Sequence, residues 1–211
     1  MDASKKPLTV IGELTRKRLI GELRDLAKEK LSYGQGIQDE ENPLIFYFLI
    51  VGENGSDYEG GHYIGMITLP PTYPQDAGSD VKMLTPNGRF EEGHSICLTN
   101  TKYHPESQTP AWKVSSMIIG LYSIFITDVD HGISHIRRTS EERKKLAKQS
   151  AGYNKNKHMS IFKRFDRFVD NNGDPYSQDE LKAMTESDEL KKKEKKEKKE
   201  KNDTVTVKIN E

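Results

Sequence analysis

Eight consecutive aliphatic or aromatic residues, Leu44 to Val51 (LIFYFLIV), constrain the fold more than any other part of this 211-residue sequence. The run is bounded by Pro43 and Gly52, and it is far shorter than the ~20 residues that a bilayer crossing needs. Short apolar runs that end at proline and glycine are typical of buried strands. The run therefore predicts a buried strand at the centre of a sheet.

The segments on either side extend this strand into a meander. A loop with turn chemistry, Glu53 to Asp57, leads to a second predicted strand from His62 to Leu69. The proline-rich segment Pro70 to Pro74 cannot sit inside a sheet, because proline donates no ladder hydrogen bond. A short strand from Val81 to Leu84 follows. The sequence predicts three or four antiparallel strands in chain order.

Helical periodicity surrounds this sheet region. Apolar residues recur between Glu13 and Leu31 and predict an amphipathic first helix, which the segment Ser32 to Gly36 breaks. The predicted apolar positions of that helix are Leu14, Ile20, Leu23, Ala27 and Leu31. A second helix is predicted by the spacing of Val114, Met117, Ile118, Leu121 and Phe125. Helices and strands that are segregated along the chain favour an α+β domain.

Two further helices are predicted towards the carboxyl terminus. Thr139 to Glu142 has the pattern of a capping box and announces the third helix. The spacing of Met159, Phe162, Phe165 and Val169 suggests the fourth. The apolar content collapses after this point, so we expect an amino-terminal extension over residues 1–12, a folded domain over 13–170 and a tail over 171–211.

The tail has an unusual charge pattern. Lys191 to Lys201 contains eight lysines and three glutamates, so the formal net charge of zero is a cancellation between a basic tail and an acidic remainder. Such a run can contact nucleic acid or an anionic membrane. The interleaved glutamates favour a solvated helix or a disordered segment instead, and we therefore expect no nucleic-acid partner.

The single cysteine, Cys97, excludes an internal disulfide and any zinc site built from several thiolates. The amino terminus lacks the apolar core of a secretory signal, and no apolar stretch is long enough to span a bilayer. We therefore expect a soluble protein in the reducing cytoplasm. Cys97 lies in a long segment without periodicity, Thr85 to Ala111, where a lone cysteine is either a small buried hydrophobe or a reactive thiol.

Other patterns are weaker. His131 and His135 are four residues apart, but no further ligand completes a zinc set, and we expect both in a surface loop. The loop that begins at Asp170 has Pro175 and Leu181 where a calcium loop requires glycine and glutamate. No glycine loop for phosphate is present. We predict no metal site.

Several motifs around Cys97 resemble one family, in the family's order. They are Thr85-Pro86-Asn87-Gly88-Arg89-Phe90, Ile96-Cys97-Leu98, His104-Pro105-Glu106 and Pro110-Ala111-Trp112, with Tyr58 to Tyr63, Leu69 to Pro74 and Glu141 to Ser150 outside the irregular segment. Together they resemble the J-type class of ubiquitin-conjugating enzymes, which is usually anchored at the endoplasmic reticulum. The resemblance extends from about Leu14 to Phe168 and implies that family's fold, with a four-stranded antiparallel meander.

The resemblance implies a transferase that carries ubiquitin as a thioester on Cys97. Ubiquitin would come from the ATP-dependent activating enzyme and pass to a lysine of a substrate protein, and in J-type enzymes also to serine or threonine hydroxyls, with a ligase. The chemistry needs no metal or organic cofactor. The resemblance places the ligase on the first helix, the loop Pro71 to Pro74 and the loop before Trp112. The cationic residues Arg16, Lys17 and Arg24 are candidates for docking the activating enzyme.

Two further residues are candidates for catalysis. Asn87 resembles the asparagine of the family's His-Pro-Asn motif, although Thr85 replaces the histidine and the spacing to Cys97 is ten residues rather than eight. Its amide either donates to an oxyanion or simply builds a turn. His104, seven residues after Cys97, either serves as a general base or acceptor-orienting group, or caps the turn before Pro105.

Some positions depart from the family. Thr99 stands where most members have aspartate and J-type members tend to have serine, and Gln108 replaces a common tryptophan. The expected membrane anchor is replaced by the charged tail, so membrane attachment is not carried over. Two alternatives remain: a catalytically inactive module of the same fold that binds ubiquitin or a ligase, and a hydrolase that pairs Cys97 with His94 or His104.

Overall fold

The computed structural model describes residues 11–76, 78–98, 101–103, 109–127, 132–177 and 179–187. The chain divides into two compact units, Met1–Gly173 and Asp174–Glu211. In the second unit, residues 179–187 are helical. Within the described residues, no helix combines the length and the apolar character that crossing a membrane requires.

The first unit is an α+β domain whose elements follow one another in segregated order. Helix α1 comes first, then strands β1 to β4, and then helices α2 to α4. The helices are α1 (Glu13–Lys28), α2 (Val114–Ile126), α3 (Ser140–Lys157) and α4 (Met159–Phe162), and the strands are β1 (Gly34–Gln38), β2 (Ile45–Val51), β3 (His62–Thr68) and β4 (Asp80–Met83). The sheet order β1-β2-β3-β4 is fully antiparallel, which confirms the predicted meander.

The predicted central strand is β2, and it is buried on both faces. Phe46, Phe48 and Ile50 point into the principal core, which also includes the whole predicted stripe of α2. Leu49 points to the opposite face, opposite Ile64 of β3, and both side chains are fully buried. Because strand side chains alternate between faces, burial of both sets requires a cover on each side of the sheet.

The cover on the outer face comes from α4 and the turns that follow it. The Phe162 ring lies edge-on to His62 of β3, and Arg164 donates to the Gln38 carbonyl at 2.6 Å. The predicted fourth helix was too long, because residues beyond Phe162 form turns. The apolar residues of those turns, Phe165, Phe168 and Val169, are nevertheless buried. Their apolar character reflects packing against the sheet and not a helical repeat.

The segment Ser32 to Gly36 lies outside the first helix as predicted, since α1 ends at Lys28, and it also contains the start of β1, at Gly34. Another prediction about the amino-terminal region was wrong. The predicted apolar stripe of α1 does not face the core, because Leu14, Ile20 and Leu23 are exposed. The buried residues of α1 are Thr15, Leu19 and Glu22. The buried face of this helix therefore combines polar side chains with Leu19, which belongs to the principal core, and Leu26, which packs against that core.

Candidate active site

Cys97 lies on a segment that runs along the outer edge of β4. The amides of Gly93 and Ile96 donate to the Met83 and Val81 carbonyls, each at 2.8 Å. Ile96 and Leu98 are buried in the principal core, while Cys97 between them is half-exposed. Because neighbouring side chains of an extended segment point to opposite sides, these two anchors direct the thiol away from the core.

A buried threonine fixes the chain directly after the cysteine. The Thr101 hydroxyl donates to the Leu98 carbonyl at 2.8 Å and accepts from the Leu98 amide at 3.1 Å. The Thr101 side chain is fully buried. Sequence reasoning missed this residue, because a threonine within an irregular loop has no distinctive pattern.

The segment 132–136 lies against the cysteine on the other side. The Cys97 amide donates to the Ile133 carbonyl at 3.3 Å, and the Ile136 amide donates to the Arg89 carbonyl at 3.0 Å. The segment thus pairs with both ends of the loop that contains Cys97. His135, which was predicted to be a surface residue, is half-buried with its ring edge-on to Phe90 at 4.9 Å. His131 lies outside the described residues.

Asn87 is fully buried and uses both ends of its amide within its own loop. The Oδ1 atom accepts from the amides of Arg89 and Phe90, each at 2.8 Å, and the Nδ2 atom donates to the Thr85 carbonyl at 3.0 Å. An asparagine that accepts from the amides two and three residues ahead stabilises a turn. Of the two roles considered for Asn87, these contacts favour the loop-building one.

Arg89 connects this loop to α2. Its side chain is fully buried, and its guanidinium donates to the Ile124 carbonyl in the last turn of α2 at 3.3 Å. A cation at the carboxyl end of a helix interacts favourably with the unpaired carbonyl groups and the dipole there. The loop that leads to Cys97 is therefore anchored to the end of α2 by a buried charge.

A second network anchors the start of the loop to β3 and α3. The Thr85 hydroxyl accepts from the Ile64 amide at 2.9 Å and donates to Asn154 Oδ1 at 2.6 Å. Asn154 Nδ2 in turn donates to the His62 carbonyl at 2.7 Å. Burial lowers the pKa of His62 to about 4, so its imidazole is neutral at physiological pH.

The structure describes only part of the remaining predicted site. His94 is exposed, and its Nδ1 lies 3.0 Å from the Glu92 carbonyl oxygen of the same loop. His104, Thr99 and Gln108 lie outside the described residues. Within the part of the chain that is described, no cluster of three or more His, Cys, Asp or Glu residues is arranged to hold a metal ion.

The three segments predicted to form the ligase surface meet around a buried ion pair. Glu22 of α1 is buried, and its carboxylate lies 2.6 Å from Arg18 Nε and accepts from the Tyr73 hydroxyl at 2.7 Å. Arg18 also donates to the carbonyls of Pro110 and Trp112, at 2.7 and 2.8 Å. Neither Arg18 nor Glu22 was singled out in the sequence, although their spacing of four residues on a helix is a signal for an ion pair.

The same carboxylate caps α2. The Val114 amide at the start of that helix donates to Glu22 Oε2 at 2.9 Å, whereas Lys113, the N-cap residue, makes no side-chain cap. A carboxylate at a helix amino terminus satisfies an unpaired amide and interacts favourably with the dipole. One buried side chain of α1 thereby positions the proline loop, the segment before α2 and α2 itself.

Known proteins of similar sequence are named ubiquitin-conjugating enzymes. Ubiquitin-conjugating enzyme E2 34 of Arabidopsis thaliana is 36% identical over 165 residues, which span 78% of this chain and 67% of that protein. Human ubiquitin-conjugating enzyme E2 J1 is 36% identical over 137 residues, or 65% of this chain and 42% of that protein. Ubiquitin-conjugating enzyme E2 J2-like of Dictyostelium discoideum is 35% identical over 65% of this chain and 80% of that protein.

No protein-family model matches the sequence. The relatives nevertheless match over 137 to 165 residues of this chain, and two of the three have J-type names. The matched region covers between 42% and 80% of their lengths, so these figures describe the shared domain rather than whole proteins. On this similarity the chain belongs to the ubiquitin-conjugating enzymes, a family of transferases, and its relatives at about 35% identity include J-type members.

Proposed function

We propose that this protein accepts the carboxyl terminus of ubiquitin as a thioester on Cys97 and transfers it to an acceptor group of a substrate protein. The observation that supports this most directly is the setting of the chain's only cysteine. It is half-exposed on a segment that buried neighbours and backbone hydrogen bonds hold in place. A nucleophile that is fixed but accessible meets the first requirement for transthiolation.

The first step is an exchange of thioesters. The Cys97 thiolate attacks the carbonyl carbon that joins ubiquitin to the cysteine of the activating enzyme. A new carbon–sulfur bond forms at Cys97, the old one breaks, and the activating enzyme's thiolate leaves and takes up a proton. ATP is consumed earlier, when the activating enzyme is itself loaded.

The second step transfers ubiquitin to the acceptor. The nitrogen of a lysine amine, or the oxygen of a serine or threonine hydroxyl, attacks the thioester carbonyl and loses its proton. An amide or an oxygen ester forms as the bond to Cys97 breaks, and the cysteine is released as a thiolate. We assign His104 to orienting the acceptor or accepting its proton, and Asn87 to holding the loop in which the reaction occurs.

The partners follow from the same assignment. We place the ligase on the surface formed by α1, the loop around Tyr73 and the segment before Trp112, because the Arg18–Glu22 pair fixes these three segments relative to one another. The activating enzyme is assigned to α1, where Arg16 and Arg24 are exposed. We place the reaction in the cytoplasm, because a reducing compartment keeps an accessible thiol in its reduced form.

One experiment tests the thioester. The protein is incubated with activating enzyme, ubiquitin and ATP, and a band one ubiquitin heavier is expected that a reducing agent removes. Cys97→Ser is expected to give either no band or an oxygen ester that resists the reducing agent. Absence of any band with the wild type would refute the proposal and favour an inactive binding module. Release of ubiquitin as free acid without an acceptor would instead favour a hydrolase.

The acceptor is tested by single-turnover discharge. The charged enzyme, freed of ATP, is mixed with free lysine, serine or threonine, and the loss of the thioester is followed. We expect discharge by lysine and by the hydroxyl amino acids, and His104→Gln is expected to slow both. Discharge by lysine alone would refute the hydroxyl activity while leaving the thioester intact.

A further inference from the structure

A cleft of about 500 Å³ separates the loop 86–92 from helix α3. Its volume is in the range of established ligand sites, which is roughly 300 to 1,000 Å³. The α3 side extends from Glu142 to Gln149, and one turn later the Tyr153 hydroxyl donates to Glu92 at the end of the cleft. The seven helical steps from Glu142 to Gln149 cover about 10 Å, the length of roughly three extended residues. The cleft therefore has the dimensions of a short extended peptide.

The centre of the cleft is apolar. Pro86, Ile136 and Leu146 line it, and each is half-buried rather than covered. They come from the loop, the segment 132–136 and α3 respectively, so three separate elements converge on the same apolar surface. An apolar side chain of a ligand placed there would remove this surface from water, which is the main source of binding energy in such sites.

The acidic side chains at the two ends of the cleft differ in the hydrogen bonds and ion pairs that they already make. At the start of α3, the Glu142 carboxylate caps the helix by accepting from the Thr139 amide at 2.9 Å, and it also lies 3.5 Å from Arg138. At the other end, Glu91 and Glu92 are exposed. A ligand therefore finds available negative charge at the second end.

The contacts of that acidic end leave it able to bind a cation. Glu92 accepts from Tyr153 through one oxygen only, and the burial of Tyr153 and the Glu92 carboxylate raise the pKa of the tyrosine to about 12, so it stays a donor at neutral pH. Glu91 lies 3.7 Å from the exposed His94 ring. Lys145, which lines the cleft from α3, lies eight residues or about 12 Å before Tyr153. That distance exceeds the roughly 8 Å screening length at physiological salt, so Lys145 does not neutralise the acidic end.

The cleft is continuous with the surroundings of Cys97. Ile136 lines the cleft, and Ile133 of the same segment accepts the hydrogen bond from the Cys97 amide. The two residues are three positions apart in the chain, so their Cα atoms lie at most about 10 Å apart. A polypeptide that presents an acceptor group at the thiol can therefore reach the cleft with the residues next to that group.

We infer that the cleft binds an extended segment of the acceptor protein, with one apolar side chain on Leu146 and a lysine or arginine next to Glu91 and Glu92, and so selects which acceptors are modified. The inference rests on the proposed function. It identifies the partner by chemistry, as an apolar residue followed closely by a basic one, a few residues from the modified side chain.

The test compares peptides with free lysine as acceptors for the charged enzyme. Each peptide has one acceptor lysine, separated by three to six residues on either side from a Leu-Ala-Arg segment, whose first and third side chains share one face of an extended chain. Matched peptides have Gln-Ala-Glu in place of that segment, and the two kinds are called the Leu-Arg and Gln-Glu peptides. At the best spacing, the Leu-Arg peptide is expected to discharge the wild type at least fivefold faster than its match, because one apolar contact and one charge pair together contribute roughly 1 to 3 kcal/mol.

Variants locate the effect. Gln149→Lys, at an exposed position in the cleft, is expected to slow discharge by the Leu-Arg peptide about threefold or more, and Glu91→Lys is expected to reverse the preference towards a Leu-Glu peptide. Lys148→Gln, next to Gln149 but outside the cleft, is the matched control and is expected to change nothing. Discharge by free lysine is expected to stay within twofold in all three variants.

Each outcome decides the inference. If the Leu-Arg and Gln-Glu peptides discharge the wild type equally at every spacing, or if Gln149→Lys and Lys148→Gln behave alike, the inference is wrong. If the variants slow free lysine as much as the peptide, the cleft acts on the reaction and not on the acceptor, which also refutes it. A failure of the proposed function is distinguishable, because then the wild type forms no thioester or does not discharge to free lysine.

Discussion

Replacing Glu22 by alanine removes the carboxylate that joins α1 to two loops and to α2. The side chain is only 1% exposed, and its oxygens lie 2.6 Å from Arg18 Nε, 2.7 Å from the Tyr73 hydroxyl and 2.9 Å from the Val114 amide. All three donors lose this acceptor in Glu22→Ala, and the Tyr73 hydroxyl keeps the Trp112 carbonyl at 2.8 Å as an alternative. The alanine also leaves the Arg18 charge without its counter-ion.

The magnitude follows from how deeply each partner is buried. Removing one partner of a fully buried ion pair costs about 3 to 5 kcal/mol. The Arg18 side chain is 23% exposed, so water can solvate part of its charge, and we expect Glu22→Ala to lower the free energy of unfolding by about 3 kcal/mol. Glu22→Gln keeps one acceptor oxygen and the shape, so about 1 to 2 kcal/mol is expected.

The assay is equilibrium unfolding in urea, followed by the fluorescence of Trp112, the only tryptophan and a direct neighbour of this ion pair. Glu13→Ala is the matched control, because Glu13 pairs with Lys17 on the same helix but both side chains are more than 70% exposed. We expect the control to change the free energy by less than about 0.5 kcal/mol. A loss below about 1 kcal/mol in Glu22→Ala, or simple additivity with Arg18→Ala, would refute the reasoning.

Three further outcomes are expected from the loop anchors. Thr85→Val removes the hydroxyl shared by β3 and α3, and urea unfolding should show a loss of about 1 to 3 kcal/mol, whereas Thr72→Val in the exposed proline loop should show little change. His62 has a pKa near 4 in the folded protein against 6.5 ordinarily, so the free energy of unfolding should fall by about 2 to 4 kcal/mol as the pH drops from about 6.5 to 4. His62→Gln should remove that fall. If the variant has the same pH profile as the wild type, His62 is not the group responsible. Asn87→Asp keeps the acceptor oxygen of the turn but loses the amide donor, so thioester discharge should persist if Asn87 builds the loop, and a loss comparable to Cys97→Ser would show a direct role.

The apolar pattern of the sequence was sufficient for the sheet and for α2. The run from Leu44 to Val51 contains β2, the stripe from Val114 to Phe125 faces the core, and the capping box of α3 is present at Thr139. In each case burial of apolar side chains, or a local hydrogen-bond motif, is the dominant energy. Sequence patterns report such local and apolar terms well.

The same reasoning failed where long-range polar contacts decide the structure. The apolar residues Ile20 and Leu23 of α1 are exposed, while the charged Glu22 is buried, because donors from remote loops converge on its carboxylate. Arg89 is likewise buried by a partner 35 residues away. No local pattern encodes a partner so distant in the chain, and a charged residue is ordinarily expected at the surface.

For the candidate site, the resemblance of motifs identified Cys97 and the loop around Asn87, but not what holds them. The segment 132–136 and the buried Thr101 have no periodicity and no motif of their own. Ser134 adopts a φ of 69°, which is uncommon for a residue other than glycine and is not apparent from the sequence. These supports are visible only once the chain is folded.

The position of the cysteine segment along β4 has a consequence for colloidal behaviour. The backbone amides of Gly93 and Ile96 donate to the carbonyls of Met83 and Val81, and the Lys102 amide donates to that of Ser79. The segment therefore covers the β4 edge of the sheet as an additional strand would. An uncovered rim is a template on which other chains can pair and precipitate. Detachment of this segment would therefore displace the thiol and also expose a sheet edge that can pair with other chains. The hydrogen bonds that hold the Cys97 segment in place therefore also protect the sheet edge against pairing with other molecules.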